Sequence, residues 1–123
     1  MRFYICEKCG KMIALVNDVC DCPTKCCGEP MKELIPNTTD AYQEKHVQVV
    51  KREGKLVVVE VGSVAHPMVD THYIEWIALQ TNKGNQRKQL HPGDAPRAEF
   101  ALLDGEEVVS AYAYCNLHSL FKA

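Results

Sequence analysis

A chain of 123 residues, 46% hydrophobic and 24% charged, is sized for one domain, or one domain with a small appendage. Its net charge of −2 excludes the basic footprint of a general nucleic-acid binder. The longest aliphatic run, Leu56-Val57-Val58-Val59, is far too short to span a bilayer. The opening Met1-Arg2-Phe3-Tyr4-Ile5-Cys6 reaches a cysteine before an apolar signal region forms, so the expected location is the cytosol.

In a reducing compartment, seven cysteines argue for metal ligation or redox chemistry and against structural disulfides. Cys6, Cys9, Cys20, Cys22, Cys26 and Cys27 precede every histidine, and the five histidines run from His46 to His118. Thiolate-rich and imidazole-rich sets separated along the chain predict two different metal sites.

Residues 1 to about 36 read as a compact module too small to fold on apolar burial alone, and therefore in need of a staple. Cys6-Glu7-Lys8-Cys9-Gly10 has the form of a metal knuckle, with Gly10 permitting the tight turn after the second ligand. Cys26-Cys27-Gly28 is placed to close a tetrathiolate site from the other side. Adjacent cysteines point to opposite faces of a regular strand, so both ligate one metal only if the backbone bends there. Tetrahedral sulfur suits zinc and iron alike. Cys20 and Cys22 read as spare thiols on a loop, or as substitutes for Cys26 or Cys27 in the ligand set.

The polar, breaker-rich Pro36-Asn37-Thr38-Thr39-Asp40 reads as a linker. Beyond it, residues 46–51 and 55–61 are β-branched runs around an Arg52-Glu53-Gly54 hairpin turn, and 73–79 is rich in strand formers. Turns are predicted at 82–85, 92–96 and 104–105, and the last strands over 97–103 and 107–114. Six or seven short strands with turns between them predict an antiparallel sandwich. Lys83, Arg87 and Lys88 read as a solvated strand face, and His91 as a surface turn residue.

His46 opens the first of these strands, His66-Pro67-Met68-Val69-Asp70-Thr71-His72 carries two histidines six apart, and Cys115-Asn116-Leu117-His118 follows the last strand. Gathered at one end of a sandwich, four imidazoles and one thiolate are an unusual set for zinc and suggest iron used for redox chemistry.

These motifs together resemble the desulfoferrodoxins, a family of two-iron superoxide reductases. The likeness rests on Cys6-x-x-Cys9, Cys26-Cys27-Gly28-Glu29-Pro30-Met31, Glu44-Lys45-His46-Val47 and Gly62-Ser63-Val64-Ala65-His66-Pro67-Met68. It continues in His72-Tyr73-Ile74-Glu75-Trp76, Pro92-Gly93-Asp94-Ala95-Pro96 and Tyr114-Cys115-Asn116-Leu117-His118. The resemblance implies an all-β chain: a desulforedoxin-like iron module over residues 1–36 and an immunoglobulin-like antiparallel sandwich over 37–123. It implies His46, His66, His72 and His118 as equatorial ligands of a catalytic iron and Cys115 as the axial one. Cys6, Cys9, Cys26 and Cys27 match a tetrathiolate iron, which moves the expectation there from zinc to iron. Glu44 resembles the carboxylate that takes the sixth position in the ferric state, and Lys45 the cation beside the open site. Further implications are a homodimer, a rubredoxin-like electron donor, and one-electron reduction of superoxide to hydrogen peroxide in an anaerobe or microaerophile. Cys20 and Cys22 depart from the family pattern. The competing readings are a non-enzymatic iron- or zinc-binding electron carrier, a dismutase and a non-haem oxygenase; the oxygenase lacks its two-histidine-one-carboxylate set here.

Overall fold

The computed structural model describes residues 1–38 and 46–123. Within them the chain divides into two compact units, Met1–Ile35 and Pro36–Ala123. Asp40, Glu44 and Lys45, named above for the linker and the open face of the site, lie outside the described residues.

The first unit is built from five very short strands. β1 (Phe3–Ile5) pairs antiparallel with β2 (Met12–Ala14) on one side and β5 (Lys32–Glu33) on the other, while β3 (Lys25–Cys26) pairs with β4 (Glu29–Pro30). Its buried apolar side chains are few: Phe3, Met31 and Leu34, with the Cys6 thiol beside them. An apolar core this small does not offset chain entropy alone, so the cysteine cluster described below is part of what holds the unit together.

The second unit is a β-sandwich. One sheet has the order β10-β7-β6, from β6 (Gln48–Glu53), β7 (Leu56–Val61) and β10 (Arg97–Ala101). The other has the order β12-β11-β8-β9, from β8 (Ile74–Thr81), β9 (Gly84–Gln89), β11 (Val108–Cys115) and β12 (Ser119–Lys122). Every pairing is antiparallel. Alternation with period two turns Val57, Val59 and Val61 of β7 inward to meet Ile77 and Leu79 of β8 and Ala111, Ala113 and Cys115 of β11. Ala98 and Phe100 of β10 and Phe121 of β12 complete this core.

The edge strands of the larger sheet are β9 and β12, and only β12 has no counterpart in the sequence reading. β9 is polar along its whole length, and its exposed Arg87 and Lys88 are the solvated strand face expected there. β12 follows Cys115-Asn116-Leu117-His118 directly, so that motif is the turn of a hairpin and not the end of the sheet. Strand β6 also runs on to Glu53, two residues past its expected end, and the turn falls at Gly54 with φ 59°. Asn37 stands against the outer edge of β12: its Nδ2 donates to Lys122 O at 3.1 Å and its Oδ1 accepts from Lys122 N at 3.0 Å. A side-chain amide thereby satisfies backbone groups that an edge strand leaves open.

The Asp104-Gly105 turn is tied by Glu106, a buried carboxylate that accepts from Thr81 Oγ1 at 2.5 Å and from Leu103 N at 2.9 Å. These bonds, the threonine hydroxyl first, hold its carboxyl below the usual range. A depressed folded value means the stabilisation is full above the ordinary glutamate pKa of about 4.3 and is lost as pH falls through the folded one. Glu106→Gln is therefore expected to lower Tm at neutral pH and to flatten the fall of Tm below about pH 4. Thermal melts across pH 2–7 measure both, and an acid limb as steep as that of the parent chain would remove Glu106 from this role.

Candidate metal centres

Three elements bring the histidines together. His46 lies two residues before β6, His66 and His72 stand in the loop between β7 and β8, and Cys115 and His118 bracket the β11–β12 turn. One ligand atom each from His46, His66, His72 and Cys115 falls within 4.8 Å of all the others. His118 joins them through Nδ1, 3.1 Å from His46 Nε2 and 3.7 Å from Cys115 Sγ. His46, His66 and Cys115 are buried, and His72 and His118 half-buried.

The long loop is tied down by its own backbone. Val69 and His72 exchange N–H···O bonds at 3.0 Å in both directions, and Gly93 N donates to Met68 O at 2.9 Å. Met68 packs against the sandwich core, and its sulfur accepts from Ile74 N at 3.3 Å. Asn116 adds the cross-tie. Its Oδ1 accepts from Tyr73 N at 2.9 Å and its Nδ2 donates to Thr71 O at 3.1 Å, clasping both neighbours of His72 to the turn that carries Cys115 and His118.

Ring-nitrogen chemistry tests whether this set fits a cation. His66 Nδ1 lies 2.7 Å from Pro67 O. A carbonyl only accepts, so Nδ1 carries the proton and Nε2 presents a lone pair. That lone pair faces His46 Nε2 at 3.0 Å, and His46 Nε2 also faces His118 Nδ1 at 3.1 Å. One nitrogen cannot donate to two neighbours in different directions, so nitrogen lone pairs or N–H groups must oppose one another unless a cation lies among them. Burial, seconded by the neighbouring imidazoles, pushes His66 down to about 4, so at neutral pH it is the neutral base that a metal requires. His46 is backed by Phe121, stacked at 4.5 Å between centroids and 26° between planes.

Cys115 stands in two opposing influences. Burial pushes its thiol up, while the backbone N–H groups of Leu117 and His118 point at the sulfur and pull it down. A β-bulge adjusts its surroundings. Tyr114 pairs with Trp76, yet Cys115 pairs with Ile74, leaving Glu75 as the extra residue of β8. An apolar side chain, not a carboxylate, thus stands opposite the sulfur. Glu75 is half-buried, and its carboxyl is raised by that burial.

In the first unit, Cys6, Cys9, Cys26 and Cys27 place their sulfurs within 4.8 Å of one another. Cys9 and Cys26 are 3.6 Å apart and Cys26 and Cys27 3.9 Å. A tetrahedron with metal–sulfur bonds of about 2.3 Å has edges of about 3.8 Å, so the cluster has the dimensions of a tetrathiolate site. Adjacent cysteines reach one centre because the backbone turns left-handed at Cys27 (φ 53°) and Gly28 (φ 77°), the bend that the sequence required. The Cys9 N–H, helped by that of Lys8, draws Cys6 down to about 6, while the other thiols push Cys26 up to about 12. Metal ligation requires the thiolate form, so a divalent cation here favours ionisation of the sulfurs around it.

The desulfoferrodoxin family model matches residues 38–123. The chain belongs to the desulfoferrodoxin family. A desulfoferrodoxin homolog from Archaeoglobus fulgidus is 48% identical over 123 residues, covering 100% of this chain and 96% of the relative. The superoxide reductase structure from Treponema pallidum superposes with a TM-score of 0.81 at 38% identity, covering 93% of each chain. A one-iron superoxide reductase from Giardia intestinalis superposes with a TM-score of 0.56 at 37% identity, covering 65% of this chain and 95% of its own. The two clusters, one of four cysteines and one of four histidines with a cysteine, match the two iron centres of desulfoferrodoxins. Sequence reasoning missed Asn116 as a tie, although its place inside Cys-x-x-His was a signal; nothing in the sequence marked the Glu75 bulge.

Asn116→Ala is expected to leave the fold intact and to weaken retention of the His-site metal by about 10- to 100-fold, the usual cost of losing a group that orients ligands. Metal content after timed exposure to a chelator measures this, with the metal of the tetrathiolate site as internal standard. Equal loss from both sites would assign Asn116 a general structural role.

Proposed function

We propose that this chain is a superoxide reductase, converting superoxide, one electron and two protons to hydrogen peroxide without dismutation. The observation that carries this reading is the convergence of His46, His66, His72, His118 and Cys115 at one end of the sandwich. It is supported by the likeness to superoxide reductases from Treponema pallidum and Giardia intestinalis.

In this reading those five side chains hold the catalytic iron, and Cys6, Cys9, Cys26 and Cys27 the second one. Residues 1–36 form the desulforedoxin-like module and 37–123 the catalytic sandwich. Iron held there in the ferrous state would supply the electron for a small anion such as superoxide. Cys115 contributes electron density from its sulfur, and the Leu117 and His118 amides temper that donation by setting partial positive charge against it. That restraint on the sulfur would favour release of peroxide with its O–O bond intact. His66 stays neutral, its Nδ1–H donating to Pro67 O, so its Nε2 keeps a lone pair for a metal.

Lys45 and Glu44 immediately precede His46 in sequence. Lys45 attracts the superoxide anion by charge, and Glu44 is the carboxylate that closes the site once peroxide has left. A rubredoxin-like protein returns the electron, and the working form is a homodimer. No helix among the described residues is long and apolar enough to cross a membrane; the cytosol of an anaerobe or microaerophile is the setting that fits.

Metal analysis is expected to give two irons per chain. Zinc at the cysteines with nothing at the histidines would support the electron-carrier or binding-module alternative. A reductase consumes reductant for each superoxide removed, which a dismutase does not, so donor-free turnover would overturn the proposal.

Two substitutions test the residue roles. Cys115→Ser is expected to abolish reduction while the tetrathiolate iron keeps its visible spectrum; retained turnover would remove the thiolate from the mechanism. Lys45→Ala is expected to slow the bimolecular step and weaken its salt dependence, read by pulse radiolysis at low and high ionic strength. An unchanged rate at low salt would exclude steering by Lys45.

A further inference from the structure

Cys20 and Cys22 belong to neither ligand cluster. Both are exposed, separated by Asp21, and lie in the strand-free stretch between β2 and β3. Among the described residues they form no metal-sized group with a third ligand. They line an open cavity of about 510 Å³ together with Arg2, Tyr4, Met31 and Glu33. Arg2 is fixed there by Glu33 at 2.8 Å and Asp18 at 3.0 Å, leaving its cation beside the mouth.

The two thiols act on each other. The Cys22 side chain and amide lower Cys20, against the opposing charge of Asp18, and Cys20 raises Cys22 in turn. Two exposed sulfurs two residues apart thus line the same open cavity. A nucleophile with a resolving thiol beside it, both open to solvent, is the arrangement that peroxide oxidises selectively.

We propose that Cys20 and Cys22 form a peroxide-reducing dithiol. The Cys20 thiolate attacks one oxygen of hydrogen peroxide, the O–O bond breaks, and the departing hydroxide takes a proton to become water. Cys20 is left as a sulfenic acid. The Cys22 sulfur then displaces its hydroxyl, forming the S–S bond and releasing a second water. In sum two thiols lose two electrons and two hydrogens, and one peroxide becomes two waters. An external dithiol restores the pair by thiol–disulfide exchange. The stretch carries no ladder hydrogen bonds, so it is able to bring the two Cα atoms into the roughly 4.4–6.8 Å range a disulfide needs. A ring this small is strained, hence readily reduced, which suits turnover and not structure. Only the source of the peroxide rests on the superoxide-reductase reading.

The test uses the iron-loaded full chain, reduced and freed of small thiols, with hydrogen peroxide added directly and no superoxide. Tryptic cleavage after Lys11 and Lys25 isolates residues 12–25, which contain Cys20 and Cys22 and no other cysteine. That peptide is expected to become lighter by two hydrogens and to resist alkylation. Its oxidation is expected to run on the order of tenfold faster than in the isolated synthetic peptide, reflecting a larger thiolate fraction. Cys22→Ser is expected to trap a dimedone-reactive sulfenic acid at Cys20, Cys20→Ser to lose the fast reaction, and both variants to keep full superoxide reduction. Two thiols still alkylated after peroxide treatment, or a rate equal to that of the free peptide, would overturn the proposal. An undiminished fast reaction in Cys20→Ser would do the same. Because peroxide is supplied from outside, such a failure leaves the superoxide-reductase reading to its own donor-dependence assay.

Discussion

A ring nitrogen offers either a proton or a lone pair, and His46 Nε2 faces two other ring nitrogens at 3.0 and 3.1 Å. That geometry is repulsive in any arrangement of protons that leaves all three rings neutral, because no single tautomer of His46 satisfies both neighbours. The four-cysteine cluster poses the same problem with sulfur: thiolates at 3.6–3.9 Å repel, and thiols at that distance gain only weak hydrogen bonds. Like groups crowded this closely are stable around a cation. Both units are therefore organised to hold electron-rich atoms nearer to one another than those atoms would choose.

The scaffold enforces the crowding through backbone bonds, which side-chain repulsion does not easily break. At the His-rich centre, the Val69–His72 bridge, the Gly93–Met68 bond and the Asn116 clasp fix the two loops that carry ligands. Behind them the sandwich core presses Phe121 against His46 and Ile74 against the Cys115 side of β11. At the cysteine centre, Gly10 N bonds Cys6 O and Cys6 N bonds Lys11 O, each at 2.8 Å, and the left-handed Cys27-Gly28 pair closes the other side. A ligand set held by ladders and turns is pre-organised, so little ordering remains to be done when metal binds.

Much of this was legible in the sequence because ligand chemistry is local. Cysteine and histidine types, their spacing, and Gly10 and Gly28 beside them announce two sites before any fold is known. The β-branched run of β7 and the strand formers of β8 were legible for a similar reason, since buried strands advertise themselves by apolar residues. What was hidden is what depends on neighbours. β12 is four residues long directly after a ligand turn, so it carries no strong strand signature. The Glu75 bulge is a property of register between two strands and has no residue of its own to betray it. Asn116 was visible but looked like a spacer until Thr71 and Tyr73 came alongside.

The seven cysteines show how one side chain is turned to three uses by its surroundings. Cys115 is fully buried, so desolvation favours its thiol, and two backbone amides only partly offset that; a cation must supply the rest if the sulfur is to act as a thiolate. The sulfurs of the tetrathiolate group crowd one another, and a metal is what favours the thiolate form in all of them. In both, the metal occupies the lone pairs that would otherwise attack an oxidant. Cys20 and Cys22 are exposed on one open cavity, and among the described residues they belong to no metal-sized group. Reactivity toward peroxide is therefore concentrated where ligation is absent, and a chain whose iron chemistry yields peroxide is one in which that separation has chemical value.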